Sequence, residues 1–224
     1  MSRLAVALCL CLLAAVGCAS KSGPTNSGFL PDYSRLKPVE GNPDAKIWAA
    51  PRFSLADYDR VIIDPVQLHL PPDKTKVKDE ELKELQALTV YFRDALIHAL
   101  QARYPMTDLP GPRTLRIRAA ITDVVKAKPM RNVMTSVLPV GIVLNLGSEV
   151  FAGKGMGVAE VAIEVEVLDS LSGASQAAFT GRKTGHKYDV KGATELGQVK
   201  KALEEWAEQL RKRFDQAHGL AGAK

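Results

Sequence analysis

Apolar positions fall into distinct periods along this chain, and each period predicts an element. From Val158 to Leu168, Val161, Ile163, Val165 and Val167 alternate with Glu160, Ala162, Glu164 and Glu166. A period of two with one apolar and one acidic side predicts a strand with one face in the core and the other in water. Across the turn Asp169-Ser170-Leu171-Ser172-Gly173, Ala177 to Lys183 predicts its hairpin partner. Arg60-Val61-Ile62-Ile63-Asp64, closed by Pro65, is a continuous apolar triplet and predicts a strand covered on both faces. Leu115 to Val125 predicts another strand after the turn Pro110-Gly111-Pro112.

Spacings of three and four mark two helices. Between Asp79 and Arg103 the stripe is Leu82, Leu85, Leu88, Phe92, Leu96, Ala99 and Leu100. Asp79 is a candidate cap, Glu80, Glu81 and Glu84 suit the positive end of the helix dipole, and Pro105 stops the run. Between Thr194 and Gln216 the stripe is Val199, Leu203, Trp206, Leu210 and Phe214. The expected fold class is α+β, a single two-layer domain over residues 59–218. Its sheet is expected to be mostly antiparallel, with about four strands and both amphipathic helices on one face. The expected order is β-α-β-(apolar insert)-β-β-α. Arg116 and Arg118 share one face of the second strand, where pairing with Glu160, Glu164 and Glu166 sets the register of a solvated surface.

Two segments interrupt this plan. In residues 18–58, Pro24, Pro31, Pro38, Pro43 and Pro51 exclude a helix. Residues 19–28 read as a tether. The large apolar side chains of Phe29, Leu30, Tyr33, Leu36, Ile47, Trp48 and Phe53 then predict an extended strap against the domain. The second segment is a glycine-rich apolar insert at about 127–157. It has no charged side chain from Val133 to Gly147 and includes Pro139, so it is too short and interrupted to cross a ~30 Å hydrocarbon core as a helix. A buried core helix or hairpin, a segment dipping into lipid, and a contact surface for a partner or a second copy all fit it. Val137, Leu138, Val140, Ile142, Val143 and Leu144 are the candidate partner or lipid contacts. Gly141, Gly147, Gly153, Gly155 and Gly157 suit close backbone packing.

The start of the chain carries an address. Leu4 to Val16 is apolar, follows Arg3 and ends at Gly17, which predicts a signal peptide over residues 1–17. Ala15-Val16-Gly17-Cys18 resembles a bacterial lipobox, which implies cleavage before Cys18 and acylation of the new N-terminus. Ala19 and Ser20 follow, with no Asp to act as an inner-membrane retention signal. The expected location is therefore the periplasmic face of the outer membrane, held by the acyl anchor. Cys9 and Cys11 leave with the signal, so the mature chain has no disulfide and no cysteine zinc site.

Charge and motifs narrow the function by exclusion. The net charge is +5 and the isoelectric point about 9.1, yet Arg211-Lys212-Arg213, near a helix end, is the only tight basic cluster. Nucleic acid is not an expected partner. Gly147 to Lys154 misses the spacing and the hydroxyl of a phosphate-binding loop. His69, His98, His186 and His218 are scattered, and no Ser stands in a GxSxG turn. Asp57, Asp59, Asp64, Asp123 and Asp169 sit at strand ends and read as turn caps. No catalytic residue, metal or cofactor is expected.

Ser27-Gly28-Phe29-Leu30-Pro31-Asp32-Tyr33-Ser34-Arg35-Leu36 resembles the opening block of the DUF3313 family of bacterial lipoproteins. Tyr58-Asp59-Arg60-Val61-Ile62-Ile63-Asp64-Pro65-Val66 resembles a second block, and the turn 169–173 and Trp206 agree. The resemblance runs from about Ser27 to Phe214. It implies a lipoprotein of unknown function and brings no catalytic residues. Two functions remain: a non-enzymatic interaction or assembly module of the envelope, engaging an envelope protein or a second copy, and a lipid or small-ligand binding module gated by the insert.

Overall fold

A computed structural model describes residues 26–70, 77–125, 159–184 and 195–220. The strands are β1 (Lys37–Val39), β2 (Asn42–Ala49), β3 (Arg60–Ile63), β4 (Gln67–Leu68), β5 (Thr114–Val125), β6 (Glu160–Asp169) and β7 (Ser175–Thr184). The helices are α1 (Asp79–Leu100) and α2 (Glu195–Ala217). One sheet runs in the order β1-β2-β7-β6-β5-β3, with β4 also along β5. Hairpin connections make β1 to β2 and β6 to β7 antiparallel, and β2/β7 and β5/β6 are antiparallel as well. β3 and β4 lie parallel to β5, because the chain crosses over through α1 before returning.

The α+β class stands, but the expected sheet of about four strands has seven, and the expected order is corrected to β-β-β-β-α-β-β-β-α. Two of the added strands come from the strap. Pro38 lies in the edge strand β1 and Pro43 near the start of β2, positions where a missing backbone donor is tolerated. The third addition, β4, is a two-residue pairing beside β5. Proline spacing excluded helix there without excluding sheet.

The periodic stripes do face the core. Leu85, Leu88, Phe92, Leu96 and Leu100 of α1 and Val199, Leu203 and Phe214 of α2 pack on Val61, Ile63, Leu115, Ile117, Ile121, Val161 and Ile163. Lys78 is the N-cap of α1 and makes no side-chain cap, so Asp79 is the first helical residue and contributes through its charge at the dipole end.

The end of α1 is joined to α2 by a buried polar contact. Tyr104 Oη donates to Asp215 Oδ1 at 2.9 Å, and Arg103 and Arg211 also pair with Asp215. Burial, then the hydrogen bond to Asp215, pushes the Tyr104 phenol up to about 12. A raised tyrosine pKa leaves stability intact below about pH 10, where the unfolded phenol begins to ionise, and loses it as pH rises toward the folded value. Urea midpoints measured from pH 9 to 12 should therefore fall less for Tyr104→Phe than for the parent chain. Parallel curves would show that the phenolic proton contributes nothing.

Candidate functional site

The face of the sheet away from the helices carries the polar alternate residues of β5, β6 and β7. Its centre is Glu164, expected in water and in fact 0% exposed. The carboxylate is covered by the strap. Oε1 accepts from the Ser27 backbone N–H at 2.9 Å, and Oε2 accepts from Ser27 Oγ at 2.9 Å and Tyr33 Oη at 2.6 Å. Tyr33 Oη in turn accepts from the backbone of Gly28 at 2.8 Å and Leu30 at 3.2 Å. The strap thus coils around one phenol, which is seated on one buried carboxylate. Burial and the bond to Glu164 hold the Tyr33 phenol above its ordinary pKa.

Most residues of the opening block take part in this latch. Gly28 adopts φ +90°, a left-handed conformation that a side chain would strain. Phe29 and Leu30 are buried against Ala120 and Ala178, with Tyr33, Leu36 and Trp48 beside them. Asp32 closes a turn by accepting from Ser34 N and Oγ, which lowers its pKa, and Arg35 pairs with it at 2.8 Å while lying 3.9 Å from the Trp48 ring.

Flanking charges are spent in the same way. Arg118 pairs with Glu166 at 2.7 Å, as the strand register predicts, whereas Arg116 turns to Asp64 at 3.0 Å. Arg182 bridges Asp123 at 2.8 Å and Glu160 at 3.3 Å, and its side chain is only 8% exposed. Within the surface expected to be solvated, Glu164 lies buried under the strap and Glu166 and the Arg182–Asp123 pair are buried as well, while Arg116 and Arg118 stay partly exposed. The signal for this cover lay in the sequence: the strap's apolar side chains needed a surface, and the helices already occupied the other face.

On the helix side, the sheet and α2 do not close completely. An apolar cleft of about 210 Å³ opens between β6, β7, the 3₁₀ turn at Leu55–Asp57 and both helices. Val165, Phe179, Trp206 and Leu210 border it and stay half-buried, which explains why Trp206 and Leu210 are less buried than the stripe predicts. Gln209 and Arg213 stand at its rim. A pocket between sheet and helices is what the ligand-binding alternative expects, but the described lining comes from the strands and helices, and in the sequence only a tryptophan in a helical stripe marks its place.

Cys18 and the insert contacts Val137, Leu138, Val140, Ile142, Val143 and Leu144 lie outside the described residues, as does His186. His69 stacks edge-on to Phe29, His98 is exposed on α1, and His218 Nδ1 lies 2.9 Å from the Phe214 carbonyl. Among the described residues no group of three or more His, Cys, Asp or Glu is placed to hold a metal ion. No described helix is long and apolar enough to cross a membrane. Asp169 caps its turn, accepting from Ser172 N at 2.8 Å and Oγ at 2.7 Å.

The chain matches a family model and resembles several known proteins. The family model DUF3313, described as a protein of unknown function, matches residues 25–210. The uncharacterized lipoprotein YdcL of Escherichia coli is 32% identical over 165 residues, 71% of this chain and 72% of that one. Among solved structures, a PelC dodecamer from Paraburkholderia phytofirmans aligns with 76% of this chain and 95% of its own, at 12% identity and a TM-score of 0.39. A minor lipoprotein from Acinetobacter baumannii aligns with 72% of this chain and 94% of its own, at 9% identity and a TM-score of 0.33. The matched stretch contains both the strap wrapped on Glu164 and the β3 block paired with β5, and on that match this chain belongs to the DUF3313 family.

Proposed function

We propose that this protein is a lipid-anchored, non-enzymatic interaction module of the bacterial envelope, held on the periplasmic face of the outer membrane. The observation that carries this reading is the latch. The strap is tied down at Ser27, and only residues 19–26 separate Ser27 from Cys18. Even fully extended, that segment spans under about 30 Å, so an acylated Cys18 keeps the domain close to its membrane. The buried carboxylates and guanidinium groups of the sheet are committed to one another and to the strap, which supports a structural use of its charge.

Cys18→Ser should move the protein from the membrane fraction to the soluble periplasm, because a permanent acyl anchor is removed. Photocrosslinkers at Leu109 and Leu171, which are 76% and 63% exposed, should capture an envelope protein or a second copy. Their loops are clasped by hydrogen bonds between Ser170 and Gly111. Retention of Cys18→Ser on membranes would remove the anchor from this reading. Absence of any adduct from either leucine in cells would remove the interaction role at that end of the sheet.

A further inference from the structure

We propose that the cleft between α2 and the sheet is a binding site for the single acyl chain of an anionic amphiphile, with its head at Arg213. This inference goes beyond the anchoring role and does not depend on it. β6 is an interior strand of the sheet, and Glu164 and Glu166 on its strap side are 0% and 2% exposed. Val165, between them and facing the helices, remains half-buried. At Val165 the apolar side is therefore more open than the charged side next to it, although Val161, Ile163 and Val167 on the same side are buried. A space of about 210 Å³ exceeds the roughly 150 Å³ cavity that takes up benzene, and is small for a two-chain lipid.

Two further features set the shape and polarity. The Phe179 ring lies over Gly181, where an added Cβ would come within 2.6 Å of it, so the missing side chain lets the ring lie flat along β7. At the rim, Gln209 and Arg213 are one turn apart and exposed. Arg211, in the same basic cluster, is committed to Glu208 and Asp215. Arg213 has no ion pair among the described residues. An apolar interior with one uncommitted cation at its mouth suits a chain ending in a carboxylate or a phosphate diester. A free fatty acid and a lysophospholipid share that chemistry.

The two tryptophans report on opposite faces of the sheet. Trp206 borders the cleft, and Trp48 lies on the other face, packed with Phe29 and Leu30 and covered by Arg35. The test uses the full mature chain with Cys18→Ser, free of detergent, and ω-bromoundecanoic acid, whose bromine quenches tryptophan on contact. Quenching should saturate in Trp48→Phe, where Trp206 remains, and be absent from Trp206→Phe. Arg213→Glu, at an exposed position, should weaken the acid about tenfold and leave ω-bromoundecanol unchanged. Val165→Phe, which fills the cleft, should abolish quenching if its melt shows it folded; if it unfolds, Arg213→Glu decides. Dodecanoate or lysophosphatidylglycerol should displace the probe, and the stronger competitor identifies the head. Quenching of both tryptophans alike, no saturable quenching, displacement by neither competitor, or equal loss of acid and alcohol in Arg213→Glu would overturn the proposal. None of these readouts involves the anchor.

Discussion

Glu164→Ala should lower the stability of the domain by about 3 kcal/mol and free its strap, with the helix-side core left in place. The carboxylate accepts from Ser27 N, Ser27 Oγ and Tyr33 Oη, and hydrogen bonds to a charged group contribute about 1.5–3 kcal/mol each before losses overlap. The total stays below the sum because a released strap returns its donors to water. Limited proteolysis should then cut within residues 26–36, and the urea midpoint should fall. Glu164→Gln keeps the shape but replaces one acceptor oxygen with a donor, so an intermediate loss is expected. A midpoint unchanged in Glu164→Ala, with the strap still protected, would show that Phe29 and Leu30 hold the strap without the carboxylate.

Phe214→Ala should cost about 3–5 kcal/mol, the usual range for emptying a fully buried aromatic site. Phe214 is 0% exposed, its ring centre is 4.9 Å from that of Tyr104, and it is the last large stripe residue of α2. Its loss loosens the junction that carries the Tyr104–Asp215 bond, so the final turns of α2 should exchange amide protons faster than those around Leu203. Chemical denaturation gives the magnitude. A loss under about 1 kcal/mol would mean that the site collapses around the smaller side chain.

The elements were legible because their signals are local. The alternation ending at Leu168 became β6 (Glu160–Asp169), and the two stripes became α1 (Asp79–Leu100) and α2 (Glu195–Ala217), each within a few residues of expectation. The same alternation leaves one matter open: a period of two gives a strand two unlike faces without saying what covers the acidic one, for which the expectation is water. The true partner lies 137 residues away in sequence, at Ser27, beyond the reach of any local pattern. Prolines at 38 and 43 likewise ruled out a helix but were silent about pairing, since pairing of β2 depends on a free edge of β7.

By itself, then, the sequence determined the α+β class, the extents of the main strands and helices, and the family, through blocks that include locally required residues such as Gly28 at positive φ. Only the tertiary structure decided that seven strands share one sheet, that Glu164 is buried, and that a cleft stays open beside Trp206. The physical reason is the range of the forces involved. Backbone propensity and amphipathic period act over a turn or a pair of residues, whereas burial of a charge and the filling of a cavity depend on which distant surface arrives to cover them.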